Sequence, residues 1–195
     1  MNNLTALAVF SGISFNLLIH LGIGIQDFNR EPYRPFRFVF FQCFSLFASV
    51  MVLWCLFAYI LTPLSLDFFE YFLFFPLIAT LGSFWKFLFA RLFPRKDSEE
   101  RLSSMLSVYN ALVTSALLIT IRLAGSFSGA LALALGFSLG FLTAVFILRA
   151  IYDRFSEETV PLPLCGTPLL LISLGLLALI FSSFSVIILR LLGFS

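Results

Sequence analysis

Six long apolar segments make up most of this chain of 195 residues, and each is long enough for a helix to cross a bilayer. A transmembrane helix takes about 20 predominantly apolar residues. The apolar runs are continuous and do not alternate with a period of two, which argues against a β-barrel. We therefore predict an all-α integral membrane protein with a single transmembrane domain over residues 1–195. The predicted helices are Leu4–Ile25, Phe38–Leu61, Phe68–Ala90, Met105–Leu123, Ala130–Ala150 and Pro168–Leu192.

The charged residues are concentrated in three short islands between these segments. Only 11% of residues are charged, against about 25% in soluble domains. The islands are Gln26–Arg37, Arg91–Arg101 and Arg149–Glu158, and we interpret them as loops on one side of the membrane. The net charge of +2 is small and indicates no nucleic-acid partner.

The distribution of Lys and Arg predicts the orientation. Nine basic residues follow odd-numbered helices, and the opposite side has Arg122 and Arg190. Short loops rich in Lys and Arg stay in the cytoplasm. We therefore expect a multi-pass protein of the bacterial inner membrane with both termini outward, in the periplasm. No basic residue precedes the first apolar segment, so we interpret it as a retained helix and not as a signal peptide.

The second island divides the six predicted helices into three plus three. Two halves with an odd number of spans insert with opposite orientation, which is the arithmetic of an inverted-topology repeat. The half-repeats are about 1–93 and 102–195. In such folds, function commonly lies near the bilayer midplane between the halves.

Polar and glycine residues indicate where two of the helices are interrupted. Glycines weaken a helix, and Asn, Thr and Ser can hydrogen-bond backbone groups that an interruption frees. We predict interrupted first and fourth helices; the alternative is that these residues only pack helices together. The small-xxx-small pair Gly136 and Gly140 predicts close helix packing. The candidate half-helix or pathway residues are Asn16, His20, Gly22, Gly24, Asn110, Thr114 and Ser115.

Few side chains offer chemistry within the predicted spans. Every carboxylate lies in or beside a loop, so ion coupling through a titrating acid of this chain is not expected. His20, the only histidine, is either a proton relay or ligand, or an interfacial histidine near the headgroups. Lys86 either extends its stem to the cytoplasmic surface or makes an interhelical or subunit contact. The three cysteines have neither metal-ligand nor disulfide spacing, and we identify no catalytic residue and no metal site.

Several segments together resemble one family of membrane subunits. The third island is followed by Val160-Pro161 and Gly166, and then by a Leu-, Ser- and Gly-rich helix that ends in Phe181–Ser185. The segments Phe75–Ala79 and Phe137–Gly140 add to the match. With its length and span count, the chain resembles the Rnf/Nqr membrane-subunit family (RnfA, RnfE, NqrD and NqrE). Its expected outward termini are similar to those of RnfA and NqrE.

This resemblance implies six helices in an inverted repeat with half-helices, paired with a homologous subunit of opposite orientation. It also implies a [2Fe-2S] cluster between the pair, with two cysteine thiolates from each partner. The corresponding positions here are Gly24 and Ala111, and Lys86 stands where the family has a glutamate in its third helix. We therefore predict no cofactor for this chain.

The expected function is that of a divergent membrane subunit of an Rnf/Nqr-type ion-translocating electron-transport complex, without its own cluster ligands. As an enzyme it would be at most one subunit of a redox-driven translocase. The alternatives are a stand-alone small-solute transporter or substrate-binding membrane component, and a structural membrane protein that transports nothing.

Overall fold

The chain forms a bundle of helices in a computed structural model that describes residues 2–14, 16–21, 36–64, 69–92, 98–157 and 167–191. Two π-helical segments, π1 and π2, are continuous with α-helices. The elements in chain order are α1 (Asn2–Val9), π1 (Phe10–Ser14), α2 (Leu17–Leu21), α3 (Phe36–Leu56), π2 (Phe57–Leu61), α4 (Glu70–Leu92), α5 (Ser98–Leu123), α6 (Phe127–Glu157) and α7 (Thr167–Leu191).

The all-α prediction is confirmed over the described residues. Four helical stretches are long and apolar enough to cross a membrane: Phe38–Leu61, Phe72–Leu92, Phe127–Ile151 and Leu171–Ile188. Two shorter apolar stretches, Leu4–Ile19 and Tyr109–Leu123, belong to the first and fourth predicted segments. The chain is therefore a membrane-embedded helical protein, and its six-span inverted repeat stays a prediction.

Two of the charged islands are partly helical, contrary to their interpretation as loops. Helix α6 continues through Arg149 and Arg154 to Glu157, and α5 already begins at Ser98. Arg and Glu are good helix formers, so a helix that leaves the apolar layer can continue through them at little cost. The apolar pattern therefore located the apolar part of these helices but missed their polar ends: α5 begins before the predicted Met105, and α6 ends after the predicted Ala150.

Helix α6 is the centre of the bundle. It packs against α1, π1, α2, α3, α5 and α7. Its inward positions include small residues such as Ala130, Ala134 and Ala144, which are fully buried. Small residues let neighbouring backbones approach closely, which is how membrane helices gain contact without a hydrophobic driving force between them.

The core joins α3, α5 and α6 on their facing sides. Leu46, Val50 and Leu53 of α3 belong to the same buried cluster as Leu117 of α5 and Leu133 of α6. The opposite faces of α4 and α7 expose large apolar side chains, as expected where helices meet lipid. These residues include Phe72, Phe75, Phe87, Leu171, Leu176, Leu179, Phe184 and Ile187.

Candidate functional site

The first apolar segment is interrupted between α1 and α2, and this interruption is the candidate site. The chain passes from α1 into π1, and Asn16 then lies outside any helix before α2 begins at Leu17. We call residues Phe10–Ser14 and Asn16 the helix break. Short π-helical segments inside helices occur frequently at functional sites. Non-helical backbone at membrane depth requires partners within the protein.

Asn16 supplies most of those partners. Its Nδ2 donates to the carbonyl oxygens of Gly12, at 3.1 Å, and Gly140, at 2.7 Å. Its Oδ1 accepts from the backbone N–H groups of Leu18, at 3.2 Å, and Ile19, at 3.3 Å. Asn16 is only 1% exposed. The side chain thus caps α2 as an N-cap residue does, and it also ties the helix break to α6.

Glycine at three positions permits the contact between the helix break and α6. A Cβ on Gly140 would lie 2.5 Å from the oxygen of Gly12, and one on Gly12 would lie 3.0 Å from the oxygen of Gly136. A Cβ on Gly136 would collide with Ser11 Oγ and with the carbonyl of Ala8. The predicted packing role of Gly136 and Gly140 is therefore confirmed, and Gly12 is their partner.

Serine hydroxyls provide further polar contacts at the helix break. Ser14 Oγ lies 2.5 Å from Ser185 Oγ on α7, where Ser185 is buried. Ser11 Oγ donates to the carbonyl of Ala8, at 3.1 Å. The helix break is thus held to α6 by Asn16 and to α7 by the Ser14–Ser185 hydrogen bond. Its described side chains are uncharged, so it can hold backbone dipoles in place but cannot itself carry a titrating proton.

The structure contains an interruption of the first helix at one of the four residues predicted for it. Asn16 lies within the helix break. The backbone of His20 lies in α2, one turn past Asn16, and its side chain is outside the described residues. Gly22 and Gly24 are also outside the described residues.

The predicted interruption of the fourth helix is wrong. Helix α5 is continuous from Ser98 to Leu123. Thr114 Oγ1 donates to the carbonyl of Asn110, at 2.6 Å, and Ser115 Oγ to that of Ala111, at 2.8 Å. These hydroxyls bond carbonyls of their own helix one turn back, which a continuous helix allows. Their presence is therefore no sign of a break.

Lys86 lies on the exposed side of α4, inside its apolar stretch. Over the described residues there is no group of three or more His, Cys, Asp or Glu side chains able to hold a metal ion. Cys43 is buried on α3 and Cys55 is half-buried near the end of that helix, both as free thiols, while Cys165 is outside the described residues.

Comparison with known proteins relates the chain to one component of a membrane complex. No family model matches it. It is 30% identical over 132 residues to the RnfA component of the ion-translocating oxidoreductase complex of Syntrophotalea carbinolica, which covers 68% of both chains. The chain belongs to the RnfA family. The same component in Histophilus somni is 28% identical over 127 residues, which is 65% of this chain and 66% of that relative. The aligned part thus spans about two thirds of the relatives' length.

The predicted resemblance to the Rnf side of the family is thereby confirmed. The family resemblance would put the ligands of a [2Fe-2S] cluster at Gly24 and Ala111, and these two residues do not fit that group. Ala111 is exposed on α5 and, like Gly24, has no side-chain atom able to bind iron. The chain offers no thiolate at either position, and cluster ligation needs such thiolates.

The sequence interpretation missed Gly12, Ser14 and Ser185. A signal for Gly12 was available, because a small-xxx-small face on one helix requires a close partner on another. No sequence signal indicated that Ser14 would meet Ser185, which is 171 positions later in the chain.

Proposed function

We propose that this chain is a membrane subunit of an Rnf-type ion-translocating oxidoreductase complex and that it holds no [2Fe-2S] cluster of its own. The observation that carries the proposal is the 30% identity to the RnfA component of such a complex over two thirds of the chain. The helix break supports it, because discontinuous helices are characteristic of proteins that move ions or small solutes across membranes. Without the cluster, the chain contributes a scaffold or gate to the assembly.

We also propose that the chain crosses the membrane six times in a 3+3 inverted repeat, with both termini outward. The proposed complex includes a homologous partner subunit of opposite orientation, as the family resemblance implies. Lys86 is the proposed contact with another subunit, because a lysine on the outer face of a membrane helix is costly unless its charge reaches the interface or a partner. A Lys86→Met chain is expected to recover less partner in a mild-detergent purification, whereas a Ser83→Ala chain, altered on the same exposed face, recovers it fully.

The decisive experiment removes every thiol of the chain. The three cysteines are Cys43, Cys55 and Cys165, so a Cys43→Ala, Cys55→Ala, Cys165→Ala chain has no thiolate to give to iron. The tagged wild-type and triple-alanine chains are purified with their partners, and iron content and the EPR spectrum of the reduced complexes are compared. We expect the same partners and the same spectra. A single Cys43→Ala chain controls for the loss of a buried side chain.

Two outcomes contradict the proposal in different ways. Loss of a [2Fe-2S] signal from a triple-alanine complex that keeps all its partners would show that this chain ligates iron. Migration of the wild-type chain as a monomer without partners would refute membership in a complex.

A stand-alone small-solute transporter is the second candidate, and the helix break favours it equally, since the same discontinuity occurs in such transporters. Neighbouring genes for flavin-carrying and ferredoxin-like subunits are expected if the chain belongs to the redox complex. A gene within a metabolic operon, together with the monomeric state, would favour the transporter.

A further inference from the structure

Two buried polar atoms on the neighbouring helices α3 and α5 have no hydrogen-bond partner among the described residues. They are Gln42 Nε2 and Asn110 Oδ1. Gln42 is only 2% exposed, and it lies within an apolar stretch that is long enough to cross a membrane. A buried polar group without a partner is unfavourable, because it has given up hydrogen bonds to water and gained none. Such groups therefore call for an explanation.

Gln42 begins a polar face on α3 that leads to a hydrogen-bonded network. Ser45 and Ser49 follow at helical spacing, and both are buried. Ser45 Oγ donates to the carbonyl of Gln42, at 2.9 Å. With a rise of about 1.5 Å per residue, the face from Gln42 to Ser49 extends about 10 Å along the helix.

The network at Ser49 joins three helices. The Ser49 and Tyr109 hydroxyls are hydrogen-bonded to each other, which links α3 to α5. Trp85 Nε1 on α4 donates to Ser49 Oγ, at 2.8 Å. Asn110, next to Tyr109 on α5, carries the second unpartnered atom. We call the group Gln42, Ser45, Ser49, Trp85, Tyr109 and Asn110 the polar cluster.

The donors and acceptors of the polar cluster do not balance among themselves. The indole N–H already donates to Ser49, and the two hydroxyls share one hydrogen bond but carry two hydrogens. One hydroxyl hydrogen therefore remains for another acceptor, alongside the N–H groups of Gln42. Asn110 Oδ1 in turn needs a donor. The polar cluster has no charged side chain, so a neutral molecule that both donates and accepts satisfies it.

We propose that the polar cluster is a hydration site inside the transmembrane domain. Resident water molecules bind Gln42 and Asn110 and extend the Ser49–Tyr109–Trp85 network. Buried waters typically make about three hydrogen bonds to polar groups that would otherwise be unsatisfied. The proposal concerns α3, α4 and α5 and does not depend on the role of the chain in a complex.

Trp85 reports on this site directly. Its ring packs edge-on against Phe41 and Phe44, which flank Gln42 in the sequence. The chain has two tryptophans, so Trp54→Phe leaves Trp85 as the only indole. The measurement is the ratio of Trp85 emission in D2O to that in H2O, for the full chain in lipid nanodiscs. Water that is hydrogen-bonded near an indole quenches the indole fluorescence, and D2O quenches it less than H2O does.

We expect the D2O/H2O emission ratio of the Trp54→Phe chain to be above one. Adding Gln42→Met should remove at least half of the excess over one. Ser138→Ala is the matched control, because Ser138 is buried and its hydroxyl bonds Ala134 of its own helix α6. An unchanged ratio in the Gln42→Met chain would overturn the proposal. The excess would then come from water at the lipid interface, which this substitution leaves in place.

Thermal stability of the same variants provides an independent readout. Methionine has a similar volume and no polar group, so it relieves a dry, unpartnered amide but removes bonds from a hydrated one. A hydrated site predicts that Gln42→Met leaves the melting temperature unchanged or lowers it. A rise of roughly 2–4 °C or more would indicate a dry amide and overturn the proposal.

Discussion

At the scale of single residues, Asn16 is the side chain on which the first helix depends. It makes four hydrogen bonds at once, as donor to two carbonyls and acceptor from two N–H groups. These backbone groups lie where the regular helical ladder is interrupted. In a membrane they cannot turn to solvent, so each one left unpaired is costly.

Replacing Asn16 with alanine should therefore destabilise the protein strongly. Loss of an N-cap costs about 1 kcal/mol, and each buried group left unpaired adds roughly 1–3 kcal/mol. We expect a loss of about 2–4 kcal/mol, measured as a lower midpoint of unfolding in mild detergent. Ser138→Ala is the control, because Ser138 is also buried but bonds only its own helix. Equal stability of the two variants would contradict the role of Asn16.

The sequence indicated Asn16 but not its function. Asn next to an apolar run is typical of a cap or a packing residue, and only the approach of α6 brings the Gly140 carbonyl to it. For Thr114 and Ser115 the same kind of inference failed. Their hydroxyls bond their own helix and leave it continuous, because residue type alone does not reveal which carbonyl a hydroxyl finds.

At the scale of elements, the contact between π1 and α6 explains how a broken helix is accommodated. Gly12, Gly136 and Gly140 bring the two backbones together without side chains between them. The atoms that a new Cβ would meet at Gly140 belong to the backbone of Gly12, so they cannot move aside as a flexible side chain would. The close contact in turn brings Asn16 within reach of α6.

Gly140→Ala and Gly175→Ala form a matched pair that tests this contact. The new methyl at Gly140 would lie 2.5 Å from the Gly12 oxygen, whereas nothing lies within 4 Å at Gly175 on α7. Overpacking typically costs 1–3 kcal/mol, and we expect about 3 kcal/mol at Gly140. Alanine at Gly175 should be neutral or stabilise by up to about 1 kcal/mol through helix propensity. The measurement is the unfolding midpoint of each purified variant, compared with that of the wild-type chain. A Gly140→Ala chain as stable as wild type would refute the close contact.

Helix positions were more predictable than helix continuity. Long apolar runs located α3, α4, α6 and α7 to within a few residues at their apolar ends. Asn16 was among the candidate residues for an interruption, but the π-helical segment before it was not predicted, because residue propensity is a local property. The contact of this segment with α6 joins Gly12 to Gly136 and Gly140, residues far apart in the sequence.

At the scale of the whole molecule, the number of crossings depends on the first segment and on α5. The four long apolar helices meet the length requirement by themselves, whereas Leu4–Ile19 and Tyr109–Leu123 are shorter. Helix α5 as a whole runs from Ser98 to Leu123. At about 1.5 Å per residue its length reaches roughly 39 Å, more than the roughly 30 Å hydrocarbon layer. It is therefore long enough to cross, with its polar first turns outside the apolar layer.

Cysteine labelling tests the orientation and whether α5 crosses. Single cysteines at the exposed positions Leu64, Gly125 and Arg154 are introduced into the cysteine-free chain and treated with a membrane-impermeant maleimide. Because the six predicted spans put nine basic residues on one side and two on the other, we expect Leu64→Cys and Gly125→Cys to react in intact spheroplasts. Arg154→Cys should react only after permeabilisation.

Each departure from this pattern has a distinct structural meaning. If α5 does not cross, Gly125→Cys and Arg154→Cys exchange sides while Leu64→Cys stays outside, which refutes six spans but leaves the predicted side of Leu64 correct. If all three exchange sides, α4, α5 and α6 still cross and the orientation is wrong. Because α4 is long enough to cross by itself, Leu64 and Gly125 share a side only when α5 crosses as well, so their agreement is the condition on which the 3+3 inverted repeat stands.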